Sequence, residues 1–276
     1  MKIKFTKMHG LGNDFIIVDG RFLKNINYKK IAVTYCRRAF GIGSDGLIIL
    51  AKSGKADFKM LFYNPDGSTA AMCGNGIRCL AKYIYNKKLS KKKLISIETP
   101  AGVKEVKILA NNNAEVSLGK PVFEPGNIPV KVKSKKYILN YPIKIKNKVF
   151  NINCVSFGNP HCVIFINKTP LEKLIDYADD ISNSKIFPEK ANVEFVHLLT
   201  KTHIKVFVWE RGAGPTLACG TGAAAAAVIS HIVKGTDRKI KATLPGGNLY
   251  VTWDKKDNQV YLRGPAETVF EGEINI

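Results

Sequence analysis

Residues 70–85 read AAMCGNGIRCLAKYIY. Cys73 stands directly before Gly-Asn-Gly. Beyond it, Ile77, Leu80, Ala81 and Ile84 keep helical spacing, with Cys79 and Tyr83 adding apolar surface on other sides. A helix that begins here leaves its first N–H groups without intrahelical partners, and its dipole adds positive potential at the same place. Gly74 and Gly76 let a ligand approach the backbone closely. The arrangement suits an anion, a carboxylate above all. A phosphate is possible too, but this is not a P-loop, because the Gly-Lys-Ser/Thr ending is missing. The same potential favours a thiolate over a thiol.

The pattern occurs twice. Cys219 opens CGTGAAAAA, 146 residues after Cys73. At that offset, DFKMLFYN (57–64) falls on HIKVFVWE (203–210), and GNDFIIVD (12–19) falls on GNPHCVIF (158–165), which aligns Asn13 with Asn159. Gly46 falls on Asn192. With one residue of slippage, TPAGVKEVKI (99–108) falls on LPGGNLYVTW (244–253). Gly-x-Gly turns and alternating strands are common singly, but five collinear matches imply two similar halves about a pseudo-two-fold axis. The Pro- and Gly-rich stretch 117–127 places the boundary.

Each half is expected to hold several short strands, an amphipathic helix (28–39 and 171–182) and the helix after Cys-Gly-x-Gly. Residues 223–229 are apolar all round, as in a buried helix. Short strands around such a helix imply an α+β fold: two pseudo-symmetric halves, each a curled mixed sheet around a central helix, with the active site in the cleft between them.

Composition narrows the function classes. The N-terminus has no apolar signal-peptide core and no run approaches bilayer length, so a cytoplasmic protein without a membrane partner is expected. Six cysteines in 276 residues do not form a disulfide scaffold. Cys36, Cys79, Cys154 and Cys162 lie in apolar runs and read as packed thiols. The net charge of +21 comes mostly from lysine, as in 91–93 and 131–148. Such a field attracts anions. No RNA-recognition or zinc-finger spacing accompanies it, so a solvated basic surface is expected rather than a specific nucleic-acid site.

Two thiols facing each other across a cleft suit a redox disulfide, a metal site or two-base proton transfer. There is no Cys-x-x-Cys, and the five histidines show no ligand spacing with the cysteines. In the third case a thiolate takes a proton from one face of a carbon and a thiol returns one on the other. Helix-mouth amides would stabilise the charge developing next to that carbon.

The motifs KMHGLGNDF, GIGSDG, FYNPDGSTAAMCGNGIRC, GNPHCV, ANVEFV, ERGAGPTLACGTGAAAAA and RGPA, in this order from residue 7 to 266, resemble the diaminopimelate epimerase family. The resemblance implies epimerisation of L,L-2,6-diaminopimelate to the meso isomer, on the route to lysine and peptidoglycan, without pyridoxal phosphate, metal or reducing cofactor. It implies Cys219 as proton acceptor and Cys73 as donor in that direction. Gly74, Asn75, Gly220 and Thr221 match the groups that hold the reacting carboxylate. Asn13, Asn64, Asn159, Asn192 and Arg211 match residues that hold the substrate, with Glu210 beside them. His161 and Glu210 match neighbours that tune the thiols.

An arginine fork suits a carboxylate, and asparagines suit a zwitterion. Asn64 in NPDG is also turn chemistry, His161 could be a packed core residue, and Glu210 could simply pair with the next strand. The resemblance further implies a homodimer and a C-terminal tail that returns to the first half. The halves are then 1–119 with 265–276, and 120–264. Three residues depart from the pattern. Gly46 stands where some relatives carry a glutamine that can touch substrate. Pro215 stands before the second cysteine loop where a polar residue is expected. Phe270 stands at a dimer contact where some relatives have tyrosine. A proline or hydroxyproline racemase, or a phenazine-type isomerase, is the alternative reading on the same two-half plan.

Overall fold

The computed structural model describes residues 1–69, 73–132, 137–167 and 171–276. Residues 70–72 of the stretch quoted above, and 133–136 of the lysine-rich segment, lie outside these. The chain divides into two compact units, Met1–Ser117 with Arg263–Ile276, and Leu118–Leu262.

The first unit begins with strands β1 (Lys2–Gly10) and β2 (Asn13–Asp19), then helix α1 (Tyr28–Tyr35), strands β3 (Gly46–Ala51) and β4 (Phe58–Tyr63), and helix α2 (Gly74–Asn86). Strands β5 (Leu94–Thr99), β6 (Gly102–Ile108) and β7 (Asn113–Ser117) follow. β1 runs antiparallel to β2, β2 parallel to β3, β3 antiparallel to β4, β4 parallel to β5, and β5 antiparallel to β6. α2 packs against β1, β2, β3, β5, β6 and β7, so the sheet wraps it. Its Ile77, Cys79, Leu80, Ala81 and Ile84 are wholly buried. α1 covers the outer face of the sheet, where Ile31 and Ala32 pack with Ile16, Val18, Leu47 and Ile49.

The second unit repeats the plan. It holds β8 (Tyr141–Ile145), β9 (Lys148–Ser156), β10 (Pro160–Phe165), α3 (Ile175–Ser182), β11 (Asn192–Thr200), β12 (His203–Glu210) and β13 (Gly214–Thr216). Then come α4 (Gly220–Lys234), β14 (Lys239–Leu244), β15 (Gly247–Trp253) and the start of β16 (Val260–Pro265), whose last three residues belong to the first unit. β9 is antiparallel to β10, β10 parallel to β11, β11 antiparallel to β12, β12 parallel to β14, and β14 antiparallel to β15. The register repeats too. Phe15 opposes Gly46, and 146 residues on His161 opposes Asn192. Phe58 opposes Ile97, whereas Ile204 opposes Ala242, which is the one-residue slip of the sequence alignment. The last strand, β17 (Glu267–Asn275), pairs with β1 in the first unit.

Both amphipathic helices are shorter than their sequence periods. α1 stops at Tyr35, because the chain then folds back in turns that bond Gly43 N–H to Tyr35 and Ser44 N–H to Cys36. Those turns carry Arg38 to Asp14 and Asp45. In the segment 171–182 the first turn, Leu171–Leu174, is 3-10, and the α-helix begins at Ile175.

α4 shows why five alanines follow the second glycine loop. Residues 223–226 are wholly buried, and β9, β10, β11, β12, β14 and β15 pack around the helix. Small side chains let the surrounding strands approach one axis. Gly235 ends the helix in the left-handed conformation, φ 64°. Overpacking this axis should be costly: Ala225→Leu is expected to destabilise the protein by about 1–3 kcal/mol, read as a lower urea midpoint. Ile232→Ala, at a half-exposed position, should cost about 0.5 kcal/mol or less.

Candidate active site

In the first unit Cys73 is the N-cap of α2. Its sulfur accepts from the Gly76 N–H at 3.4 Å. The cap works through a half-buried side chain, while Gly74, Asn75 and Gly76 behind it are buried. The Asn75 amide donates to Asn13 Oδ1 at 3.0 Å, and the Cys73 thiol donates to the same oxygen at a longer 3.8 Å. Asn13 donates in turn to Asp45 Oδ2 at 2.7 Å. Four expected site residues, Asn13, Cys73, Gly74 and Asn75, are thus joined around one helix mouth. Asn64 does the turn work: its side chain donates to Ser68 Oγ at 2.9 Å, and its carbonyl accepts from Gly67.

The second unit builds the matching mouth differently. Cys219 caps α4 and accepts from Gly222 N–H at 3.4 Å, but it is buried. Thr221 Oγ1 lies 3.5 Å from the sulfur and accepts from Asn159 at 3.5 Å. Its hydroxyl proton is therefore free to point at Cys219. Asn159 Oδ1 faces His161 Nε2 at 3.1 Å, and His161 Nδ1 meets Glu194 Oε1 at 2.7 Å. His161 and Glu194 are both fully buried, so the histidine is a link in this chain and not passive packing. Both ring nitrogens face oxygens.

Asn192, opposite His161 in the sheet, donates to the Pro160 carbonyl at 3.1 Å and accepts from Arg211 N–H at 3.1 Å. The Arg211 guanidinium donates to the Glu189 carbonyl at 3.0 Å. Glu210 accepts from Thr216 Oγ1 at 2.7 Å, across the short β12–β13 pairing. Gly220 is the buried first residue of α4.

A family model described as diaminopimelate epimerase matches residues 5–124 and 153–269. A diaminopimelate epimerase of Carboxydothermus hydrogenoformans is 46% identical over 98% of this chain and 99% of its own length. One from Methanococcus maripaludis is 46% identical over 99% and 100%. The chain belongs to the diaminopimelate epimerase family. It is therefore an isomerase.

Solved structures outside this family share its fold. A Bacillus anthracis phenazine biosynthesis protein of the PhzF family superposes with TM-score 0.69 at 18% identity, covering all of both chains. A probable proline racemase from Agrobacterium radiobacter gives 0.71 at 14% identity, covering 99% of this chain and 93% of that one. At such identities the likeness is one of fold alone. It supports the α+β assignment, and the alternative reading of the sequence is matched at this level only.

Glu194 was not among the residues singled out in the sequence. Its signal was visible: an acid at the centre of the buried apolar run ANVEFV. It packs under the second helix mouth so closely that a Cβ on Gly222 would lie 2.8 Å from Glu194 Oε1. Gly222 is glycine here for space. Gly46 has a similar reason: a Cβ there would meet the Phe62 ring at 2.3 Å, so this backbone excludes a glutamine at that place. Pro215 sits in β13 opposite Trp209, at an exposed position. Among the described residues no group of three or more His, Cys, Asp or Glu is placed to hold a metal ion.

The two mouths differ in charge. Burial pushes the Cys219 thiol well above its ordinary value; the Glu210 and Glu194 carboxylates push the same way, against the bonds from Thr221 and Gly222. Burial also raises the Glu194 carboxyl, opposed by His161. The first unit instead holds Asp14 in a bed of cations. Lys7 Nζ lies 2.8 Å and Arg38 Nη2 3.0 Å from its oxygens. Burial raises the Asp14 carboxyl, but the bonds and charges of Lys7 and Arg38 outweigh it and leave it below its ordinary 3.8.

A lowered carboxyl stabilises the fold above its unfolded value, and that contribution is lost as pH falls through the folded value. Asp14→Asn strands the buried Lys7 and should cost about 3 kcal/mol at neutral pH. Urea unfolding at several pH values should show the difference from wild type intact at pH 5 to 7 and shrinking below about 3.8.

Proposed function

We propose that this chain interconverts L,L-2,6-diaminopimelate and meso-diaminopimelate by two-base proton transfer at one α-carbon. The observation that carries the reading is a cysteine capping the central helix of each unit, over a Gly-x-Gly turn, in a member of this family. Inversion removes a proton from one face of the carbon and delivers one to the other, so it needs two groups, and each unit supplies one.

In the L,L-to-meso direction the Cys219 thiolate takes the α-proton. The electron pair is left on the α-carbon and its carboxylate, and the Cys73 thiol protonates the opposite face. Cys219 ends as thiol and Cys73 as thiolate. The reverse reaction exchanges the roles. The N–H groups at Gly74, Asn75, Gly220 and Thr221 receive the reacting carboxylate, where oriented amides offset the charge that develops. Asn13, Asn64, Asn159, Asn192, Glu210 and Arg211 hold the rest of the zwitterion, Arg211 by a fork to the distal carboxylate. His161 and Glu210 set the field at Cys219. These steps use protein groups alone, without a cofactor. The reaction serves lysine and peptidoglycan precursor synthesis, which places the protein in the cytoplasm. Among the described residues no helix is long and apolar enough to cross a membrane.

We also propose a homodimer that uses β17. This strand leaves Val269 and Phe270 exposed by 54% and 46%, and the Phe270 ring packs edge-on against Phe5 at 5.8 Å. Phe270→Asp should give monomers in sedimentation velocity; an unchanged sedimentation coefficient would place the contact elsewhere.

The direct test is incubation of the reduced protein with L,L-diaminopimelate in deuterated water. The α-position should acquire deuterium as meso product forms. Cys73→Ala and Cys219→Ala should each lose about 10²–10⁴-fold or more in epimerisation. Activity on proline and none on diaminopimelate would overturn the substrate assignment, and a fully active Cys219→Ala enzyme would overturn the two-base mechanism.

A further inference from the structure

Arg78 is the fifth residue of α2 and is completely buried. Its Nη1 donates to the Gly74 carbonyl at 3.1 Å and its Nη2 to Asn75 Oδ1 at 2.8 Å. Its Nε has no partner, and among the described residues no acidic side chain forms an ion pair with it. β1 is shaped around it: a Cβ on Gly10 would lie 3.2 Å from Arg78 Nη2. A guanidinium does not give up its proton in a protein. A buried, fixed cation without a counterion is expensive and needs a reason.

The groups around it supply one. On α2 itself the Cys79 thiol is pushed up to about 12 by burial, so it stays neutral, and Lys82 adds a second cation over the Tyr85 ring. β1 brings Lys7, already bonded to Asp14 of β2, and His9, beside Glu267 of β17. Asp14 and Asp45 are shared with Arg38. β3 brings Ile48, at 3.0 Å from a Cβ on Gly76. β5, β6 and β7 bring the buried Ile95, Ile97, Val106, Ile108, Ala114 and Val116, with half-buried Lys104 on the same face of β6. Among the described residues the one group near Arg78 that can become an anion in its ordinary work is Cys73, whose electrostatic interaction with the guanidinium is favourable. In the second unit the place 146 residues on is Ala224, and acids surround Cys219.

We propose that Arg78 is a positioning residue for the reaction: the built-in counterion of the Cys73 thiolate, which makes Cys73 the first of the two active thiols to ionise. The inference rests on the reading of Cys73 and Cys219 as the acid–base pair. Arg78 acts in two ways. Its charge compensates the thiolate through a dry helix turn, where Coulomb attraction is weakly screened. Its bond to Asn75 Oδ1 fixes that amide, so Asn75 Nδ2 must face Asn13 Oδ1 at 3.0 Å and competes for the oxygen that the thiol reaches only at 3.8 Å. The sulfur keeps the Gly76 N–H in either state. The resting enzyme is then the form with Cys73 as thiolate and Cys219 as thiol, ready to take a proton from the meso isomer. In that turnover Cys73 takes the α-proton of the meso isomer and the Cys219 thiol delivers its own to the opposite face, which leaves Cys219 as the base for the L,L direction.

The test is iodoacetamide alkylation of the full-length, substrate-free protein from about pH 6 to 10, with each cysteine followed by peptide mass spectrometry. The pH midpoint, not the rate, reports ionisation. In the wild type the Cys73 midpoint should lie below the free-thiol value of about 8.5 and below that of Cys219. Arg78→Met should raise the Cys73 midpoint by about one pH unit or more, which is about ten-fold slower alkylation at neutral pH, and leave Cys219 unmoved. Arg78→Lys keeps the charge and should restore most of the shift. A wild type in which Cys219 reacts at lower pH than Cys73 overturns the inference, as does a folded Arg78→Met protein with an unchanged Cys73 midpoint. Where Arg78→Met does not fold, the wild-type order and Arg78→Lys decide. Deuterium exchange on diaminopimelate separates this from the function: an active enzyme with the reverse order of ionisation overturns only the counterion, and an inactive one with the expected order overturns only the reaction.

Discussion

The structure depends on what happens at the first turn of a buried helix. Four N–H groups there have no partner inside the helix, and in a helix ringed by strands they have little water either. In both units a cysteine sulfur takes one of them, at 3.4 Å, and glycines keep the others open to a ligand. On the proposed mechanism, cap and reagent are one atom. An anion bound at such a mouth meets the positive end of the helix dipole.

The same backbone plan then carries opposite electrostatics. The first mouth has a buried guanidinium behind it and a carboxylate network neutralised by Lys7 and Arg38. The second has a buried His161–Glu194 pair and Glu210 acting on Cys219. An enzyme that runs a reaction both ways through two like thiols has a bookkeeping problem: where the single negative charge waits between turnovers. Unequal surroundings give it a place, and the asymmetry lies in residues the internal repeat does not preserve, Arg78 against Ala224 and Gly46 against Asn192.

Much of this was legible in the sequence, for definite reasons. A repeated glycine turn with a cysteine before it is a backbone requirement written in residue type. It survived at one offset with its neighbouring strands, so the repeat of sheet register, Phe15 with Gly46 and His161 with Asn192, could be expected from alignment alone. The buried α4 was equally plain, since an all-apolar, alanine-rich helix has nowhere to go but a core. The helix ends were not legible. The apolar period continued past Tyr35, but the turns that carry Arg38 to Asp14 and Asp45 ended α1 first.

What the sequence by itself determined is the pair of mouths: cysteine, glycine and helix adjoin along the chain, and local backbone physics relates them. What only the tertiary structure decided is the field each mouth sits in. Glu194 reaches Cys219's helix from a strand packed against it, Arg78 is buried on the helix that Cys73 caps, and Asn13 takes its orientation from Asn75 and Asp45. Burial and through-space charge depend on which distant residues fold against a group, and no spacing along the chain encodes that.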